Sequence, residues 1–247
     1  MTDLFSLEGK VALVTGGSRG LGRQMVLAFA AAGADVVIAS RKIEACQEVA
    51  KDVEALGRRS LPVRCHVGKW DDIDSLVEAA YAEFGKVDVL VNNAGMSPLA
   101  PSSAQTGEAL FDKIIDVNFK GPFRLCALIG ERMAAGEGGS IINISSSGAL
   151  MPVPGFGPYS GAKAGLNALT HVFAREYAPK VRVNTISAGP FLTDIAQSWP
   201  EKARHVIRSA AGRPGAPSEI ITTAMYLASP ASSYTTASLI RVDGGLY

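Results

Sequence analysis

The chain has 247 residues, 47% apolar and 19% charged, with a formal net charge of +1. That length suits a single domain spanning residues 1–247, and the near-neutral balance points away from nucleic acid and membrane surfaces as partners. Three scattered cysteines (Cys46, Cys65 and Cys126) fit a reduced, cytoplasmic setting rather than a disulfide framework, and residues 1–10 lack the apolar core of a secretory signal.

Short β-branched runs recur along the chain: KVALVT (10–15), DVVIAS (35–40), SLPVRC (60–65), KVDVLV (86–91), SIINIS (140–145), VRVNTI (181–186) and SLIRVD (238–243). Their apolarity is continuous rather than alternating, which predicts strands covered on both faces and therefore a parallel sheet. Helical stripes lie between them. Leu21, Met25, Ala28, Phe29 and Ala32 share one helix face, with Gly33 as the cap that ends it. Ile73, Leu76, Val77 and Ala80 repeat the pattern, closed by Phe84-Gly85. Such alternation predicts an α/β fold, a doubly wound parallel sheet of about seven strands flanked by helices. Residues 138–162 carry no formal charge and are broken by Pro152, Pro154 and Pro158, which predicts neutral, buried backbone lining a site rather than a spanning helix.

The stretch TGGSRGLG (15–22) admits two readings. Gly16-Gly17-Ser18-Arg19-Gly20 satisfies G-x-S-x-G, the elbow that exposes a nucleophilic serine in hydrolases. In another frame, Gly16, Gly20 and Gly22 form a turn after a strand, where backbone N–H groups and the positive end of the next helix receive a pyrophosphate. A hydrolase needs a base, and the candidates are His66, His171 and His205, none with a motif around it. Each reads more simply as an ordinary histidine, so an esterase lacks an identifiable base.

Tyr159 and Lys163 form Y-x-x-x-K within GPYSGAKAGLNALT. At i and i+4 of a helix they share a face, where an ammonium favours phenolate and lets the tyrosine exchange a proton nearer neutral pH. Ser146 stands just past a strand's carboxyl end, in the crevice where open α/β sheets bind ligands. NNAG (92–95) closes another strand. Asn118, in IIDVNFKGPF, is a polar side chain among apolar helix positions and needs a partner if buried.

TGGSRGLG, NNAG, Asn118, Ser146, Tyr159-x-x-x-Lys163, GPFLTD (189–194) and VDGG (242–245), in this order along nearly the whole chain, closely resemble the short-chain dehydrogenase/reductase family, near its 3-oxoacyl-thioester reductase-like members. The resemblance implies a Rossmann-type domain, usually a homotetramer, that binds NADP or NAD and interconverts a carbonyl and a secondary alcohol. It makes Ser18 a phosphate-loop residue rather than a nucleophile. Tyr159 would exchange a proton with the substrate oxygen and Ser146 would hold that oxygen. Lys163 would bind the nicotinamide ribose and depress the Tyr159 pKa, while Asn118 would anchor a water relaying protons to Lys163.

The same resemblance implies a cofactor site. Gly16, Ser18, Arg19, Gly20, Leu21 and Gly22 would form its phosphate turn. Asn93, Ala94 and Gly95 would pack along a ribose, and Phe191 and Thr193 would sit near the nicotinamide amide and phosphates. There are two departures. Ala188-Gly189 replaces the family's Pro-Gly, with Pro190 one place later. His66-Val67 replaces an Asp-Val whose carboxylate accepts from the adenine amine; a neutral imidazole could accept that bond, and an imidazolium could not.

NADP is expected over NAD. DVVIAS ends at Ser40, followed by Arg41 and Lys42, with no carboxylate to bind the adenosine 2′-hydroxyl and repel a 2′-phosphate. Ser40 can donate to that phosphate, Arg41 can grip it with a planar fork, and Arg19 can approach from the other side. Residues 96–99, 148–156 and 195–199 are expected to line a mostly apolar pocket, with 193–213 as its lid. A modest, uncharged ketone or a polyol-derived substrate fits, and no metal ligand set is identified. A 3-oxoacyl thioester reductase shares every motif. A cofactor-sensing regulator without turnover is the alternative from another class, although such proteins tend to lose the tyrosine or lysine.

Overall fold

The computed structural model describes residues 4–194, 196 and 201–247. Each of the seven apolar runs is a strand: β1 Val11–Thr15, β2 Asp35–Ser40, β3 Ser60–Arg64, β4 Val89–Asn92, β5 Gly139–Ser146, β6 Val181–Ala188 and β7 Leu239–Val242. They form one sheet in the order β3-β2-β1-β4-β5-β6-β7, with every neighbour parallel. The helices are α1 Gly20–Ala31, α2 Ile43–Ala55, α3 Trp70–Phe84, α4 Glu108–Ile115, α5 Gly121–Ala135, α6 Gly157–Glu176 and α7 Ile221–Ala228.

Continuous apolarity has the expected cause. Alternate residues of a strand serve opposite faces, and here both faces are covered. Ala12 and Val14 of β1 pack with Met25 and Phe29 of α1 and Leu227 of α7. Val11 and Leu13 pack with Leu76 of α3, Leu125 of α5 and Phe173 of α6. The outer strand β3 is only half covered and carries Pro62, a residue that an edge strand tolerates. Gly33 after α1 and Gly85 after α3 turn the chain at φ +101° and +74°, in the left-handed region open to glycine.

Strand order reverses at β1. The chain moves outward from β1 to β2 and β3, then returns to β4 on the other side of β1. The carboxyl ends of β1 and β4 therefore bound a crevice, the usual ligand position in such sheets. Among the described residues, no helix is long and apolar enough to cross a membrane, and no cluster of His, Cys, Asp or Glu could hold a metal ion.

Three local features depart from the sequence expectations or qualify them. Residues 138–162 are not buried throughout: the sheet covers 140–145, but Leu150 and Val153 beyond it are 42% and 54% exposed. There the lack of charge does not mean burial. The helix expected through Asn118 contains a π-helical turn, Asp116–Lys120, between α4 and α5. The Ala188-Gly189 departure keeps the residue that geometry needs, because a Cβ at Gly189 would stand 2.5 Å from the Asp243 Cα. VDGG in turn anchors the segment after β6: the Ala210 and Ala211 N–H groups donate to the Gly245 and Gly244 carbonyls at 3.0 and 2.9 Å.

Candidate active site

The glycine turn after β1 is built against the end of β4. The Thr15 hydroxyl accepts from the Asn93 and Ala94 N–H groups, both at 3.1 Å, and donates to the Val91 carbonyl at 3.2 Å. The Asn93 amide donates to the carbonyls of Thr15 (2.9 Å) and Gly16 (3.2 Å). Side chains have no room here. A Cβ at Gly16 (φ +64°) would stand 2.8 Å from Asn93 Nδ2, and one at Gly22 would collide with the Gly16 carbonyl. Gly20 abuts Thr193, whose Cγ2 would lie 3.4 Å from an added Cβ. Helix α1 has neither a side-chain cap nor an acidic residue in its first turn. Its leading N–H groups and positive dipole end are thus left to an anion, and the cradle fits a pyrophosphate.

A second cluster sits at the end of β5. Tyr159 and Lys163 share a face of α6, and Gly148 lets Ser146 close on them: an added Cβ would stand 3.4 Å from Ser146 Oγ and 3.7 Å from Tyr159 Cε1. Ser146 Oγ accepts from the Gly148 N–H at 3.1 Å and shares a hydrogen bond with the Tyr159 hydroxyl. Burial raises the Tyr159 pKa above its ordinary 10.0, partly offset by the Ser146 bond. Lys163 is buried, with Nζ donating to the Ile144 carbonyl at 2.8 Å, and burial lowers its pKa to about 8. The expectation that Lys163 depresses the Tyr159 pKa is therefore not met in this structure. The ammonium is held on the β5 backbone, and the groups that act on the Tyr159 phenol are its buried surroundings and Ser146.

Gly95 brings Asn118 to the same wall, since an added Cβ would meet Asn118 Oδ1 at 3.1 Å and Lys163 Nζ at 3.7 Å. Asn118 is fully buried. Its Nδ2 donates to the Met96 and Ile114 carbonyls at 2.9 and 3.0 Å, and its Oδ1 accepts from the Met96 N–H at 3.3 Å. Both amide protons are thus committed to backbone, so the side chain positions the loop after β4 and has no proton left for a water. Asn118 lies within the π-turn Asp116–Lys120, and its side chain reaches back to the Ile114 carbonyl at the end of α4.

A family model, short chain dehydrogenase, matches residues 10–204. This chain belongs to the short-chain dehydrogenase family. It is 37% identical over 243 residues to the 3-oxoacyl-(acyl-carrier-protein) reductase FabG of Thermotoga maritima, covering 97% of this chain and 98% of that protein. With the 2-dehydro-3-deoxy-D-gluconate 5-dehydrogenase of Pseudoalteromonas atlantica it shares 40% identity over 259 residues, 99% of this chain and 98% of the relative. A 7α-hydroxysteroid dehydrogenase solved with NADH and 7-oxo glycochenodeoxycholic acid superposes with a TM-score of 0.94 at 30% identity, covering 99% and 97% of the two chains. This short-chain dehydrogenase is an oxidoreductase that moves hydride between a nicotinamide cofactor and a CH–OH or C=O group. The esterase and the regulator without turnover are set aside.

At the β2 end of the dehydrogenase, the Ser40 hydroxyl donates to the Lys42 carbonyl at 3.2 Å and accepts from the Cys46 thiol at 3.1 Å, so its proton is already in use. Arg41 is exposed, without an ion-pair partner among the described residues. Arg19 is paired with Asp194 at 3.3 Å, both well exposed. The His66 N–H donates to Asp72 Oδ2 at 2.9 Å, and His66 Nδ1 accepts from the Gly68 N–H at 3.1 Å. Val67 and Phe191 put their side chains into the core, while Ser18 and Leu21 lie partly buried along the glycine turn. Residues 195 and 197–199 of the expected pocket wall lie outside the described residues, as does part of the expected lid.

Sequence reasoning missed the supports of the site. Asn92 Nδ2 donates to Asn143 Oδ1 (2.9 Å), Asn143 Nδ2 to Thr170 Oγ1 (2.9 Å), and Thr170 bonds Thr185 at 2.8 Å, all buried. The available signal was a polar side chain inside each otherwise apolar run, as with Thr15 in VALVT and Asn143 in SIINIS.

Burial of Lys163 makes stability depend on pH. Between about pH 8 and its ordinary 10.5, an unfolded chain keeps the lysine proton that the folded chain has released. Stability rises with pH wherever the unfolded state binds more protons, so the cost of burying Lys163 is full below pH 8 and fades above it. In denaturant unfolding, the balance between wild type and Lys163→Met should move in favour of wild type as pH climbs through this window. A difference that stays constant with pH would contradict proton loss near pH 8.

Proposed function

We propose that this chain is an NADP-dependent carbonyl reductase and secondary-alcohol dehydrogenase in which Tyr159 handles the substrate proton. The convergence of Ser146, Tyr159 and Lys163 at the carboxyl end of β5, beside the glycine cradle, carries the reading. A bound nicotinamide dinucleotide supplies or accepts the hydride. Gly16, Ser18, Arg19, Gly20, Leu21 and Gly22 would hold its phosphates, with Asn93, Ala94, Gly95 and Thr193 alongside. Lys163 would bind ribose hydroxyls. Ser146 and Tyr159 would grip the substrate oxygen, Tyr159 donating its proton in reduction and removing one in oxidation. Asn118 would fix the wall that Lys163 shares.

Arg41 supports NADP over NAD more strongly than Ser40 does. Its guanidinium is free to meet a 2′-phosphate, whereas the Ser40 proton is bound to Lys42. Arg19 can still join, because an exposed pair such as Arg19–Asp194 is worth only about 0–1 kcal/mol. Residues 96–99 and 148–156 carry no charged side chain, which suits a modest, uncharged ketone or a polyol-derived substrate. The likeness to a 3-oxoacyl-(acyl-carrier-protein) reductase favours one second reading, reduction of 3-oxoacyl thioesters, which acetoacetyl-thioester-dependent oxidation of NADPH tests.

We further infer that the chain acts as one domain over residues 1–247, in the cytoplasm, as a homotetramer. Three buried free thiols support the compartment. For assembly, Phe111, Phe123 and Val172 stand 47%, 38% and 52% exposed, and α6 shows Gly161, Ala164 and Ala168 to solvent, a face a second copy can cover.

Tyr159→Phe should lower turnover by about 10²–10⁴-fold while cofactor affinity stays nearly intact, since the ring still packs but moves no proton. Retention of more than about a tenth of wild-type activity would remove Tyr159 from this role. Ser40→Asp combined with Arg41→Ala should shift preference from NADP toward NAD. The preference itself fails if the unmodified protein has equal or higher kcat/KM with NAD. Light scattering at micromolar concentration should give four times the chain mass; a monomer would rule out the tetramer.

A further inference from the structure

The end of the crevice opposite Tyr159 has a polarity set by His66. Phosphates belong at the cradle after β1, and the nicotinamide must reach the Tyr159 cluster past β5, two strands away. At roughly 4.8 Å per strand that is about 10 Å, and an equal span the other way ends over β2 and β3. A bound dinucleotide would therefore set its adenosine half over Ser40–Arg41 and residues 65–67.

Two groups there can meet the edge of a base. The first is the His66 imidazole. Its Nδ1 accepts the Gly68 N–H at 3.1 Å, which requires a lone pair on Nδ1 and places the ring proton on Nε2. The other ring nitrogen, Nε2, is thus a donor, not the acceptor expected from the sequence. The second is the Val67 N–H, which has no acceptor among the described residues. Asp72, the carboxylate beside them, turns one oxygen, Oδ2, to the His66 backbone N–H at 2.9 Å, which makes it the competing acceptor that the test below must separate.

We propose that positions 66 and 67 present two N–H donors and no side-chain acceptor to the base, so that the chain holds adenine through a ring nitrogen and does not read its exocyclic amine. The inference rests on the nicotinamide cofactor reading above. Adenine offers one acceptor on its six-membered-ring edge, N1, beside the amine donor. Hypoxanthine also offers one, its 6-oxo group, beside a protonated N1. Two donors facing that edge satisfy one bond with either base. A carboxylate at position 66 beside the Val67 N–H would instead match both groups of adenine and only one of hypoxanthine.

The probes are NADPH and its deaminated analogue, nicotinamide hypoxanthine dinucleotide phosphate, with the NADH pair run in parallel. Dissociation constants come from nicotinamide fluorescence on the wild-type protein, with no turnover involved. The two affinities should agree within about threefold in wild type, and His66→Asp should prefer the adenine form by about tenfold or more, the worth of one further charge-assisted bond. A wild-type preference of tenfold or more for adenine overturns the proposal, and its loss in Asp72→Asn would name Asp72 as the acceptor. Failure of all four dinucleotides to bind would instead overturn the cofactor reading, and this proposal with it. Since the wild-type ratio decides the matter, a variant that does not fold costs the test nothing.

Discussion

The contact on which the rest of this site depends is the one between the Asn93 amide and the carbonyls of Thr15 and Gly16. It joins the end of β4 to the turn after β1 at the point where strand order reverses. Because the amide occupies the space where Cβ atoms would stand, glycine is required at positions 16 and 22. That empty space is also what lets a phosphate approach the first turn of α1. One set of hydrogen bonds thus closes the sheet's crevice and shapes its floor.

A second constraint runs beneath the Tyr159 cluster. Asn92 of β4, Asn143 of β5, Thr170 of α6 and Thr185 of β6 form a buried chain of hydrogen bonds. Each bond is worth only about 0.5–1.5 kcal/mol net, but an unmade buried partner costs more. The network therefore acts mainly through register. A strand slipped by one residue would strand several of these groups, whereas purely apolar strands would tolerate the slip better. Tyr159 and Lys163 inherit their position from α6, which this network ties to β5 and β6.

Burial acts on the two reactive groups in one direction. It penalises the charged form of each, so the phenol holds its proton more tightly and the lysine less so. Lys163 keeps a partner in the Ile144 carbonyl, and Tyr159 keeps one in Ser146. A phosphate or a ribose arriving nearby meets groups whose charge is set by contacts still to be formed. This is how a buried lysine and a part-buried tyrosine can change protonation with small changes in surroundings.

The amino-acid sequence by itself determined the sheet, its parallel sense and the pairing of Tyr159 with Lys163. Those features follow from periodicity: strands buried on both faces read as continuous apolar runs, and residues i and i+4 share a helix face whatever surrounds them. The glycine turn was legible for the same reason, because its requirement is local. What only the tertiary structure decided depends on partners far away in the chain. Arg19 meets Asp194, 175 positions distant, and Asn93 spends its amide on Thr15 and Gly16, 78 and 77 positions back. The neutral stretch at 138–162 divides into covered and exposed halves only where the sheet ends. Donor or acceptor character at His66 turned on which nitrogen the Gly68 N–H found. A side chain's type states which bonds it can make; the fold states which are already taken.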